Sequence, residues 1–101
     1  MKNEQKARDG LIGKYKDVAF MIRDIFVTKG SFSMKLDEMI KNLEKSNKYE
    51  QEFISNVVRF FDEKINNFVK LFDLGSFTLV KIDTTFSMEN VITNIENNLI
   101  N

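Results

Sequence analysis

Gly75-Ser76-Phe77-Thr78-Leu79-Val80-Lys81-Ile82-Asp83-Thr84-Thr85-Phe86 can be read in two ways, and the class of the fold turns on which is right. Its residue types are those of a strand: β-branched and aromatic, with Phe77 and Leu79 alternating against Thr78, Val80 and Ile82. Its spacing is that of a helix, because Leu79, Ile82 and Phe86 extend, across Gly75, an apolar face that begins upstream. That face runs Ile54, Val57, Val58, Phe61, Ile65, Phe68, Leu71, Phe72 at intervals of mostly three and four. It is wider than a two-stranded seam needs, so it must touch more than one neighbour. The phase favours helix through 76–86. A short strand hairpin over 76–86, and with it an α+β fold, is the alternative.

The first half of the chain carries a second apolar stripe. Steps of four and three from Leu11 give Leu11, Tyr15, Val18, Ile22, Ile25, Lys29, Phe32, Leu36, Met39 and Leu43, and every position except Lys29 is apolar. Ile12, Ala19, Phe26 and Ile40 widen it. Gly30 interrupts this pattern, at a cost of about 1 kcal/mol relative to Ala inside a helix. The phase carries across it, since Ile25 and Phe32 are seven apart, so the segment reads as one helix with a soft point. Glu4–Arg8, Asp37–Lys41 and Glu44–Lys48 are acid-before-base pairs four apart that would support it. A turn follows at Lys45-Ser46-Asn47-Lys48, where Asn47 and Glu50 have the spacing of a capping box. Asn90 to Asn101, with five Asn residues around Val91, Ile92, Ile95 and Leu99, reads as a final helical stretch.

These boundaries predict a single helical domain over 1–101. The first helix covers about 4–45, the turn 46–48, and the second helix about 48–74, continuing or restarting to about 98. The expected architecture is all-α: an antiparallel helical hairpin that assembles into a four-helix bundle. Gly30-Ser-Phe-Ser-Met34 and Gly75-Ser-Phe-Thr-Leu79 echo each other, which fits chance or a matched bend in two antiparallel helices.

Composition narrows the chemistry. There is no His and no Cys, which removes the commonest general base, the imidazole and thiolate metal ligands, and thiol nucleophiles. Asp37-Glu38 and Asp62-Glu63 are neighbours in sequence, and on a helix neighbours diverge, so neither pair converges on one atom. Gly10-Leu-Ile-Gly13 lacks the Lys-Ser/Thr of a phosphate loop. No enzyme, cofactor or metal site is expected. Fifteen basic residues balance fifteen acidic ones, so there is no bulk field for nucleic acid. The halves differ in sign, with eleven positive against eight negative charges over 1–50 and four against seven over 51–101. The longest apolar run, Val18 to Ile22, is too short for membrane insertion. The polar start has no apolar segment of the kind a signal peptide needs, so a cytoplasmic chain is expected, with secretion by a leaderless route left open.

Ile65-Asn-Asn-Phe68-Val-Lys-Leu71-Phe72, followed by Ile82-Asp-Thr-Thr-Phe86, resembles the WXG100-like small helical proteins of type VII secretion, and most nearly the partners that accompany LXG toxins. The resemblance covers about residues 31–95. Phe86-Ser-Met-Glu-Asn90 has Asn where that family's export signal carries an acid, and the Trp-x-Gly turn is missing. The resemblance implies a targeting partner that binds a toxin's N-terminal helices.

The residues point to a non-catalytic interaction protein, an adaptor that packs helix on helix with another protein or with itself as a homodimer, and the resemblance implies a secretion-targeting partner. The candidate partner-binding residues are Phe61, Ile65, Phe68, Phe72, Ile82 and Phe86. The alternative is a small inhibitor of phage type that blocks a macromolecular target.

Overall fold

The computed structural model describes the backbone of residues 2–46 and 48–100 and the side chains of residues 10–46 and 48–99. Among these residues the chain runs α1 (Lys2–Lys29), β1 (Ser33–Lys35), α2 (Leu36–Glu44), α3 (Gln51–Lys64), β2 (Val69–Asp73), β3 (Thr78–Ile82) and α4 (Met88–Ile100). The fold is α+β, which corrects the all-α hairpin and the four-helix bundle built from it. The strand alternative named the right class but set its hairpin too late: the strands are 69–73 and 78–82, and Asp83 to Phe86 is a turn.

The long first helix ends at Gly30 for a definable reason. Gly30 sits at φ 62°, the left-handed region where an L side chain is strained. Its N–H donates to the Val27 carbonyl, and the Ser31 N–H donates to the Phe26 carbonyl, both at 3.1 Å. This 5→2 and 6→1 pair is a Schellman stop. The expected continuous helix over 4–45 is thus broken by a cap, a strand and a new helix. Phe32, seven after Ile25, keeps the stripe's spacing but is 70% exposed.

Helix α3 begins with Glu50 at its N-cap, with no side-chain cap bond. Asn47, the expected cap, lies outside the described residues, as do the side chains of Glu4 and Arg8. Helix α2 ends at Glu44, so Lys48 is no longer one turn from it, and its ammonium instead meets Asp17 Oδ2 at 3.4 Å.

The sheet order is β1-β3-β2, antiparallel throughout. Ser33, Met34 and Lys35 face Lys81, Val80 and Leu79. On the other side of β3, Val69 to Asp73 face Ile82 to Thr78. The β2–β3 turn is tight: Leu74 N–H donates to the Phe77 carbonyl at 2.9 Å, and Gly75, at φ 91°, takes the first central position. The Gly-Ser-Phe echo now has a structural meaning. Both glycines adopt positive φ, and each leads into a strand, β1 and β3, which then pair with each other.

Helices α2 and α3 form a helix-turn-helix pair, and the β2–β3 hairpin extends beyond it as a wing. Helix α1 packs on α4 and on this pair. One apolar cluster joins the layers: Ile22 and Phe26 of α1, Met39 and Leu43 of α2, Ile54 and Phe61 of α3, Val69 and Val80 of the sheet, and Val91 and Ile95 of α4, with Phe68 between α3 and β2. Tyr15 stands edge-on to Phe53, Phe60 and Phe61, at centroid distances of 5.8, 5.0 and 6.4 Å.

Candidate protein interface

The expected partner-binding residues divide sharply. Phe61, Ile65, Phe68 and Ile82 are buried in the chain's own core, and Phe72 and Phe86 are half-buried. The apolar face that seemed too wide for one partner is wide because α1, α2, α4 and the sheet all pack around it within the same chain. The four buried residues offer no surface to a second molecule. Phe86 leans on Phe68, with ring centroids 6.2 Å apart, beside the turn into α4. Phe72 belongs to a surface that the helical reading could not assemble.

That surface is the outer face of the sheet. Strand alternation sends Met34, Val69, Val80 and Ile82 into the core, so their neighbours point the other way. The register lines these neighbours into rows. Ser33, Lys81 and Lys70 form one; Lys35, Leu79 and Phe72 form the next; Phe77 and Leu74 close the tip. Four apolar side chains and three lysines share this face, and no acid within β1, β2 or β3 does. The lysines are exposed, as is Leu74, while Phe72, Phe77 and Leu79 are half-buried.

Each lysine has an aromatic neighbour. Lys35 Nζ lies 4.9 Å from the Phe77 ring centroid, and Lys81 and Lys70 lie 5.3 and 5.7 Å from that of Phe72. Such contacts contribute about 0.5–1 kcal/mol when exposed. Lys70 and Lys81 also stand directly opposite across the strand pair, where like charges destabilise. None of the three has an acidic partner among the described residues. Lys16, Lys29 and Lys48, by contrast, pair with Glu96, Glu38 and Asp17.

The free edge of β2 is guarded. Bonding between residues 74 and 77 and between 68 and 83 leaves the Leu71 N–H pointing away from β3. The Asp62 carboxylate of α3 accepts from it at 2.9 Å. An acid over an edge amide discourages further strand addition there.

The second helix of the helix-turn-helix has a different character. Its exposed positions include Gln51, Glu52, Asn56, Arg59, Glu63 and Lys64, two acids against two bases. A cleft of about 640 Å³ between α2, α3 and β3 adds Asp37 to Glu52 and Arg59. This helix lacks the positive surplus that phosphate contacts require. The turn before it is fixed to α1. Tyr49 Oη donates to Asp17 Oδ2 at 2.7 Å, and burial, this bond and the Asp17 charge push the phenol up to about 12. A separate apolar patch lies on α1, where Phe20 (46% exposed) and Val27 (52%) flank Arg23 and Asp24.

Among the described residues no group of three or more acids could hold a metal ion, and no helix is long and apolar enough to cross a membrane.

Residues 1–75 of the 101 match the family model described as the DNA replication factor Cdt1 C-terminal domain. The match covers α1 through β2 and ends at the hairpin tip. No curated protein matches the chain. The family match overturns the likeness to WXG100 proteins and, with it, type VII secretion and a toxin partner. It also conflicts with a cytoplasmic or secreted location, because a DNA replication factor works where DNA is copied. The Ile65–Phe72 and Ile82–Phe86 spacings behind that likeness belong to a loop, two strands and a turn.

Proposed function

The chain belongs to the family of the DNA replication factor Cdt1 C-terminal domain, and on that premise we propose that it is a non-catalytic protein-docking domain serving DNA replication. A nuclear location follows from that role in a nucleated cell. Docking occurs through the outer sheet face, with Phe72, Leu74 and Leu79 as its apolar centre. The observation that carries this reading is the contrast between two surfaces. The sheet face combines the half-buried Phe72, Phe77 and Leu79 and the exposed Leu74 with three lysines that have no acidic partner among the described residues, an apolar centre with a charged rim. The exposed side of α3, which in a groove-reading helix-turn-helix would be basic, is charge-balanced. The partner is another protein. Self-association loses its original ground once the wide apolar faces are accounted for inside one chain, and it survives as an outcome of the test below.

The test is complementation in cells whose DNA replication depends on this chain. Leu79→Glu alters the sheet face, and Asn56→Glu alters the exposed side of α3. Circular dichroism checks that both fold. The docking reading expects Leu79→Glu to fail to support DNA synthesis and Asn56→Glu to support it. The reverse pattern would move the function to α3 and to a DNA groove.

A further inference from the structure

The chemistry of the partner can be read from the same face, and this step rests on the docking reading above. We infer that the outer sheet face takes an acidic, amphipathic protein segment, with carboxylates seated on the Lys70–Lys81 pair and near Lys35, and apolar side chains on Phe72, Leu74 and Leu79.

Three observations converge. Lys35, Lys70 and Lys81 lack acidic partners among the described residues, and no acid of the three strands shares their face. Lys70 and Lys81 are held opposite each other, an arrangement that costs stability in the free domain and that a carboxylate between them would relieve. The row of Lys70 and Lys81 and the row of Lys35 lie two residues apart along the strands, roughly 7 Å at the strand rise. Alternate residues of an extended segment lie on one face at that same spacing, which suits a segment whose same-face positions, two residues apart, carry acid and apolar side chains in turn.

The same geometry disfavours nucleic acid. Three lysines neutralise about three phosphates, a small electrostatic term, and the whole chain is neutral. Bases would need open aromatic faces to stack on. Here the Phe77 ring is approached by Lys35 and the Phe72 ring by Lys70 and Lys81. The centre of the face is Leu79, between Phe72 and Lys35, and matches apolar side chains better than sugar or base.

The test is fluorescence anisotropy with four labelled probes: a 12-residue peptide of the repeat Glu-Ser-Leu-Ser, whose extended form lines Glu and Leu along one face, the same peptide with Gln for Glu, a 12-nucleotide single strand, and a 12-base-pair duplex. The acidic peptide is expected to bind at least tenfold more tightly than its Gln counterpart, and to weaken at least tenfold between 50 and 500 mM salt. The double variant Lys70→Gln/Lys81→Gln, whose changes are both at exposed positions, should lose at least tenfold for the acidic peptide with an unchanged circular dichroism spectrum. Equal binding of the two peptides, no binding of the acidic one at millimolar concentration, or tighter binding of either DNA probe would overturn the inference. So would a shift to dimer mass in light scattering that the double variant abolishes, since the occupant would then be a second copy. These failures are separable from failure of the docking reading. If charge is irrelevant but docking is real, Leu79→Glu still fails in cells while Lys70→Gln/Lys81→Gln replicates normally.

Discussion

Single residues decide where this chain stops being helical. Gly30 at φ 62° closes α1, and any side chain there must adopt the left-handed region. Nothing crowds the position, so the penalty of Gly30→Ala is conformational, about 1–2 kcal/mol, and urea denaturation should report it as a lower midpoint with unchanged slope. Tyr49 gives a second check at this scale. Its phenol is raised to about 12, first by burial and then by the Asp17 bond and charge. The folded chain therefore holds that proton more tightly than the unfolded chain, whose phenol titrates near 10. The stability this contributes is intact below about pH 10 and is lost as pH climbs toward about 12. Lysines titrate in the same window, so the informative quantity is the difference between wild type and Tyr49→Phe, which should narrow across that range. Lys81→Glu tests the facing lysines. It turns a repulsive cross-strand pair into an attractive one, leaves Lys70 on Phe72, and should raise stability by about 0.5 kcal/mol at low salt. The gain should shrink at high salt, and binding of the acidic peptide should be lost.

At the scale of elements, what was legible depended on whether a signal was local. The start of α1, the presence of a final helix and the helical phase over 54–61 come from short-range periodicity, and the structure has helices there. The hairpin is hidden in the sequence because Leu71, Phe72, Leu79 and Ile82, with Phe68 just before it, happen to continue the three-and-four spacing of α3. Two features pointed the other way: the β-branched content of 78–82, and a Gly-Ser pair at 75–76 able to form a tight turn. Gly30 shows the same limit, because an unbroken apolar phase carries no information about φ. The outer sheet face was beyond reach, since Lys35, Lys70 and Lys81 come from three strands that only the register brings together. Asp62, which sequence spacing marks only as diverging from Glu63, binds the Leu71 amide across the fold. Asp62→Ala should cost about 1 kcal/mol and speed hydrogen exchange at Leu71 more than at its hydrogen-bonded neighbours Lys70 and Phe72.

For the whole molecule, the large apolar load is an intramolecular matter. Phe68 is 1% exposed and its ring meets both Phe61 and Phe86. A charge at this position would be buried without a partner, so Phe68→Asp should unfold the domain rather than merely detach a partner. Phe61→Ala should cost about 3–5 kcal/mol, a large part of the stability of a domain this size. Thermal denaturation followed in the far ultraviolet reports both. Among the described residues, the core leaves outside a cationic-apolar sheet face, a charge-balanced α3 and a small apolar patch around Phe20.

The core closes on itself and leaves the outer sheet face to bind. Backbone amide shifts measured while the acidic peptide is titrated into the labelled domain test it directly. The predicted changes cluster at Ser33, Lys35, Lys70, Phe72, Leu79 and Lys81, with α3 unmoved. Changes concentrated instead on Gln51 to Glu63, or around Phe20 and Val27, would contradict it.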